Sequence, residues 1–171
     1  IMICHDLMMA AQWCSRLLLL SQSHFIADGK PEDVLTEDNI LKAFQLDALV
    51  YRDTITDRLS LYTYQRKEDN GKTILLLGSS IFSITVMRHL FLSGYRICWG
   101  PLLEESLAAE AARDFHIPHF PVLPEKFADP FAAVIDCSGD RPSPLPEEIP
   151  VYRGNDMNQE ALLKRIDEGK L

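Results

Sequence analysis

No stretch of this sequence is apolar enough to cross a bilayer. A membrane span needs about 20 consecutive apolar residues, and Arg16, Asp28, Arg88 and His89 interrupt every candidate. Positive charge is also scarce. Seventeen Lys and Arg against 25 Asp and Glu leave a formal charge of −8, which argues against the cationic footprint that nucleic-acid binding requires. The four cysteines, Cys4, Cys14, Cys98 and Cys137, form no C-x-x-C pair and sit in apolar contexts. They read as reduced, buried thiols of a cytosolic protein rather than as a disulfide framework. The chain opens with neither an initiator methionine nor a basic-then-apolar leader. The glycines nowhere form G-x-x-x-x-G-K-[ST]. A phosphate cradle needs successive backbone N–H groups on such a loop and a lysine reaching the outer phosphates, so the chain is not expected to hydrolyse ATP alone.

What is present is enough for a real core: 47% of the 171 residues are hydrophobic, which permits one large or two small domains. The first stretch organises the rest. Ile1, Met2, Ile3 and Cys4 make an apolar run of strand length that stops at His5 and Asp6. A helical pattern follows, with Leu7, Met8, Ala11, Trp13 and Cys14 apolar and Arg16 closing it. Asp6 is placed to cap that helix. Leu17 to Leu20 read as a second buried strand. Phe25, Ile26 and Ala27 then run into the turn signal Asp28-Gly29, and Lys30-Pro31-Glu32-Asp33 opens another helix with proline near its first position. A chain that begins inside an apparent strand suggests a processed or truncated product.

This order of parts, His5-Asp6-Leu7, Ala10 or Ala11, Cys14, Arg16, Leu17 to Leu20, Ala27-Asp28-Gly29, Pro31, Val34 and Leu35, resembles the last third of an ABC transporter ATP-binding subunit. The resembled group imports iron-siderophores and cobalamin. The resemblance implies that, in the complete protein, His5 contacts the γ-phosphate and helps position the attacking water. It also implies ATP and magnesium as cofactors, transporter membrane subunits and a second ATPase copy as partners, and a cytoplasmic place at the inner face of the plasma membrane. Neither the signature motif nor the Walker B strand of that family precedes His5, so the chain reads as a fragment. Its strands 1–4 and 17–20 are apolar as if covered on both faces. Homodimer pairing or packing on a second domain is expected to cover them.

From Thr36 the pattern stays helical, with Thr36 at the cap, an acidic first turn, and Ile40, Leu41, Phe44 and Leu46 as an apolar face. Residues 48–51 and 59–64 read as two strands around the turn 53–58; the alternation Leu59-Ser60-Leu61-Tyr62-Thr63-Tyr64 suits a half-exposed antiparallel strand. The charged stretch from Gln65 to Lys72 has no apolar residue and contains Asn70-Gly71. It marks a linker, 67–72, between an ABC ATPase-like portion at 1–66 and a second domain at 73–171.

The second domain alternates strand and helix: strand 73–77, helix 80–93 with Ile81, Ile84, Val86 or Met87, Leu90 and Phe91 inward and Gly94 as its C′ residue, strand 95–99, helix 104–115, strand 132–136, a possible fourth strand at Val151-Tyr152, and helix 156–168 with Leu162, Leu163 and Ile166. The expected fold class is α/β, a small Rossmann-like parallel sheet. In such a sheet, chemistry belongs at the carboxyl ends of the strands. Those ends carry Gly78-Ser79-Ser80, Gly100-Pro101, and Asp136-Cys137-Ser138-Gly139-Asp140. Gly78, Ser79, Ser80, Asp136 and Ser138 are the candidate ligand residues. The first loop has one of the three glycines of a dinucleotide loop, which favours a small anion at a helix N-terminus over NAD; a tight turn with a serine cap is the plain alternative. The domain is similar in outline (Gly94, Gly100-Pro101-Leu102, Ile117 leading to Pro121) to an extra domain of some cobalamin and iron-siderophore importer ATPases. Its strand-glycine-helix opening also resembles siroheme-pathway dehydrogenases, leaving an NAD-dependent oxidoreductase and a non-catalytic sensor or dimerisation module as alternatives. His116 and His119 flank Pro118, which ends a helix, so no metal site is expected there. Prolines 118, 121, 124 and 130, then 142, 144, 146 and 150, mark extended surface loops.

Overall fold

The computed structural model describes residues 1–53, 56–123, 130–138, 149–154 and 158–171. They form two compact units, Ile1–Gln65 and Arg66–Leu171.

In the first unit, α1 (Leu7–Trp13) starts where the Asp6 carboxylate accepts the Met9 N–H at 2.9 Å. That bond satisfies one of the donors every helix start leaves open. The strands β1 (Leu17–Ser21) and β2 (His24–Gly29) pair antiparallel. Their turn residues Gln22 and Ser23 both have positive φ, 47° and 64°, the twist that joins two antiparallel strands through two residues. Pro31 opens the short α2 (Pro31–Val34), and Thr36 accepts the Asn39 N–H at 3.3 Å to start α3 (Glu37–Phe44). A second hairpin, β3 (Asp47–Arg52) and β4 (Leu59–Tyr64), completes the unit. Leu19, Val34, Leu35, Ile40 and Ala48 form its buried core, with Leu7, Ala11, Leu17 and Leu61 packed around them.

The first unit departs from expectation at three places. Residues 1–4 are not a strand, and Ile1 and Ile3 are fully exposed. A four-residue run satisfies its backbone only against a neighbour, and both strand pairs of this unit close on themselves. Residues 17–20 are not buried throughout: Leu19 is buried while Leu18 and Leu20 are half exposed. The hairpin lays one face on the core, so burial follows the two-residue period of a strand. On α3 only Ile40 is buried; Leu41 and Phe44, and Leu46 beyond the helix end, are exposed, because a helix of eight residues offers the core little more than one line of side chains.

The second unit is a four-stranded parallel sheet. Its elements are β5 (Thr73–Leu77), α4 (Ile81–Leu92), β6 (Arg96–Trp99), α5 (Leu107–Asp114), β7 (Ala133–Asp136), β8 (Val151–Arg153) and α6 (Gln159–Asp167). The strand order is β6-β5-β7-β8, all parallel. This is the Rossmann-like α/β architecture. Residues 74–77 and all of β7 are buried, as strands covered on both faces require. Val86, Met87 and Leu90 of α4, Ala108 and Ala112 of α5, and Leu162 and Ile166 of α6 supply the helical side of the core.

Two helices differ from expectation, one in phase and one in where it begins. Ile81, expected inward, is 78% exposed, and Ser83 is buried in its stead. Ser83 donates its hydroxyl to the Ser80 carbonyl at 2.6 Å, which lets a polar side chain lie inside the first turn. Helix α5 begins at Leu107 rather than at 104, because Ser106 accepts the Ala109 N–H and caps it. The expected helix start at Asp156, and the loop residues Pro124, Gly139, Asp140, Pro142, Pro144 and Pro146, lie outside the described residues. Gly94 ends α4 with φ +82°, and a Cβ there would run into the Glu68 carbonyl oxygen. The stretch 66–72 is fastened to this helix end: Lys67 donates to the Leu92 carbonyl, Asn70 to that of Gly94, and the Arg66 guanidinium lies 4.4 Å from the Phe91 ring centre.

Candidate functional site

The chain leaves β5 for β6 on one side and later returns to β7 on the other, so β5 and β7 are neighbours whose following loops diverge. A crevice outside such a pair is where open α/β sheets bind ligands. Here the two loops touch. Gly78 has φ +100°, and a Cβ on it would lie 2.7 Å from both the Cys137 carbonyl carbon and the Ser138 nitrogen. Only glycine fits that approach. Backbone bonds hold the edge: Cys137 donates to the Leu77 carbonyl at 2.9 Å, Gly100 to that of Leu76 at 3.1 Å, and Gly154 to that of Asp136 at 2.8 Å. The Trp99 indole donates to the Gly78 carbonyl at 2.8 Å.

The candidate residues divide by what they already do. Ser79 and Ser80 are exposed, and the Ser80 hydroxyl caps α4 by accepting the Ser83 N–H at 3.1 Å. Asp136 is 5% exposed and turned inward, taking both the N–H and the hydroxyl of Ser138. Gly78, Asp136 and Ser138 are therefore brought to one edge, where the carboxylate shapes the loop that bears it. Burial, aided by the Asp136 charge, pushes the Cys137 thiol up to about 12, so it stays protonated and is a poor nucleophile at neutral pH. The edge offers backbone N–H groups, the start of a 12-residue helix and an exposed serine, a set suited to holding an anion. Trp99 and Gly154 have no motif in the sequence that marks their part in this edge. The first reads as the end of an apolar strand; a Cβ on the second would meet the Phe82 ring at 3.1 Å, a closeness with no local sequence signal.

His5 is exposed and lies one residue before the cap of α1. It is not at the end of a sheet strand, since residues 1–4 pair with no strand among the described residues. It belongs to the first unit and the β5–β7 edge to the second, so each is a separate candidate. His119 contacts the Ile117 carbonyl through Nδ1 at 3.1 Å, and His116 takes a positive φ of 52° after α5. Among the described residues no three His, Cys, Asp or Glu side chains converge as metal ligands, and no helix is long and apolar enough to cross a membrane.

No family model matches this chain. It is 44% identical over 61 residues to the hemin import ATP-binding protein HmuV of Plesiomonas shigelloides, covering 36% of this chain and 23% of that protein. It is also 44% identical over 48 residues to HmuV of Bordetella avium, 28% of this chain and 18% of that one. With the cobalamin import ATP-binding protein BtuD of Halobacterium salinarum it shares 27% identity over 122 residues, 70% of this chain and 31% of that protein. The chain thus spans less than a third of the length of each of these relatives. The last match is longer than either unit alone, so it includes residues of both. The chain is similar, in part of its length, to ATP-binding subunits of hemin and cobalamin importers.

Proposed function

We propose that this chain is the carboxy-terminal part of the ATP-binding subunit of an ABC importer, with residues 1–66 belonging to the ATPase and residues 73–171 forming an accessory domain. The observation that carries this reading is the order His5-Asp6-Leu7, capped helix, β1–β2 hairpin closing on Ala27-Asp28-Gly29, and Pro31 at a helix start, together with the 44% identity to hemin import ATP-binding proteins. In the complete subunit, the glycine loop and acidic residues of the remaining ATPase hold ATP and magnesium, and His5 reaches the γ-phosphate. A neutral imidazole donates or accepts there without a permanent charge. The exposure of His5 ahead of a firmly capped helix suits that role. The solute is an iron chelate of the siderophore or haem kind, or cobalamin. The subunit works as a homodimer on transporter membrane subunits, at the cytoplasmic face of the plasma membrane.

The accessory domain is assigned a small anionic ligand at the Gly78, Ser79, Ser80 edge, through which it tunes transport. The long, weaker similarity to a cobalamin import protein, reaching into the second unit, supports its attachment to such an ATPase. Reading the coding sequence upstream of Ile1 tests the assignment. A G-x-x-x-x-G-K-[ST] loop, and then a signature and Walker B strand in frame before His5, are expected; an unrelated upstream domain overturns it.

A further inference from the structure

The first unit carries a cavity of about 310 Å³, at the small end of the range for ligand sites, roughly 300–1,000 Å³. It lies where the end of α1, the start of α2 and the joined ends of β3 and β4 meet. Its lining includes Gln12, Trp13, Glu32, Arg52, Arg58 and Leu59. Trp13 ends α1 yet is 79% exposed, so one of the two tryptophans of the chain presents its indole to water beside a cavity. A flat, exposed indole is an unusual surface residue and a strong stacking partner.

The two arginines are not equivalent. Arg52 donates to the Asp57 carbonyl at 2.8 Å and pairs with its carboxylate at 3.6 Å. Arg58 has no ion-pair partner among the described residues and is exposed. Its backbone is nevertheless fixed: its carbonyl accepts the Asp53 N–H at 2.8 Å, and the Asp53 carboxylate holds the N–H and hydroxyl of Thr56, each at 2.7 Å. The site therefore offers one uncommitted guanidinium on an ordered stem, next to an uncommitted indole. Asp57 is already paired with Arg52, which leaves Glu32 to balance Arg58 on the same walls, so the lining carries no excess positive charge to draw ligands of high negative charge.

We propose that this cavity binds a small planar aromatic monocarboxylate. Its ring stacks on Trp13 and rests on Leu59, and its carboxylate takes the two-pronged donor set of Arg58. Nucleotides and other polyanions need an excess of positive charge that this lining does not have. The site is separate from the proposed phosphate role of His5 and does not depend on it.

The test is a titration of the full 171-residue chain with 2-naphthoate, followed by the indole N–H signals in a nitrogen–proton correlation spectrum. The Trp13 signal is expected to shift and saturate, while that of Trp99, bonded to Gly78 in the other unit, stays in place. The neutral 2-naphthylmethanol and the Arg58→Gln variant should each bind at least tenfold more weakly, with Arg58→Lys between. Both side chains are exposed, and a retained spectrum confirms the fold of each variant. A Trp13 signal that does not saturate at millimolar 2-naphthoate, equal affinity in Arg58→Gln, or an equal response to ATP overturns the proposal.

Discussion

The indole N–H of Trp99 reaches across from the end of β6 to the carbonyl of Gly78, 2.8 Å away at the end of β5. Both groups are buried, so the bond closes an account that water cannot. Replacing Trp99 by phenylalanine leaves the Gly78 carbonyl without this donor. Adding the lost ring volume, we expect a loss of about 2–4 kcal/mol of unfolding free energy, read from denaturant titration of the whole chain.

Gly78 itself should be the least replaceable glycine at this edge. An alanine Cβ would stand 2.7 Å from two backbone atoms of the β7 loop, at φ +100°. Backbone cannot step aside as a side-chain tip does. Gly78→Ala is expected to cost about 2–4 kcal/mol and to shift backbone signals at Cys137 and Ser138. Gly71→Ala serves as the control: it also has positive φ but meets nothing within 4 Å, so about 1 kcal/mol is expected there.

The helix starts make a matched pair of smaller predictions. Asp6 caps α1 through Met9, and Ser80 caps α4 through Ser83. Asp6→Ala and Ser80→Ala should each cost about 1 kcal/mol. Ser80→Asp should restore most of the second loss, because an aspartate oxygen takes the same N–H and favours the positive end of the helix.

Much of this architecture was legible because local chemistry and global packing agree. The caps Asp6, Thr36 and Ser80, the proline at the start of α2 and the apolar runs of β5 and β7 each announce their element. Failures came where an identical pattern had a different neighbour. Residues 1–4 are as apolar as residues 74–77, yet only the second run finds strands on both sides. Residues 17–20 turned out to alternate, because a hairpin covers one face and a parallel sheet covers two. At the candidate edge, glycine and aspartate were visible as residue types. The inward turn of Asp136 and the reach of Trp99 were not, because both depend on which loop lies opposite, a long-range fact carried by no short motif.

Cys137 gives the second unit a pH signature. Its thiol is pushed up to about 12 by burial beside Asp136, against an ordinary cysteine value of about 8.5 when unfolded. The folded state holds the proton more tightly. The thiol's contribution to stability is therefore complete below the unfolded value and is lost as pH climbs towards the folded one. The difference in unfolding free energy between the native chain and Cys137→Ala should be constant up to about pH 8 and narrow steadily above it. A difference that does not vary with pH would mean the thiol is no more buried than in the unfolded chain. Alkylation by iodoacetamide at pH 8 should also be much slower at Cys137 than in the denatured protein.

The assignment of the first unit puts His5 at the γ-phosphate, and turnover by the complete subunit tests it most directly. In the protein encoded by the whole reading frame, His5→Ala should lower steady-state ATP hydrolysis by roughly 100-fold or more, while ATP affinity, measured separately by equilibrium binding, changes less than about threefold. Unchanged turnover in His5→Ala would contradict the placement of this histidine at the γ-phosphate, and with it the reading of the first unit as part of an ATPase.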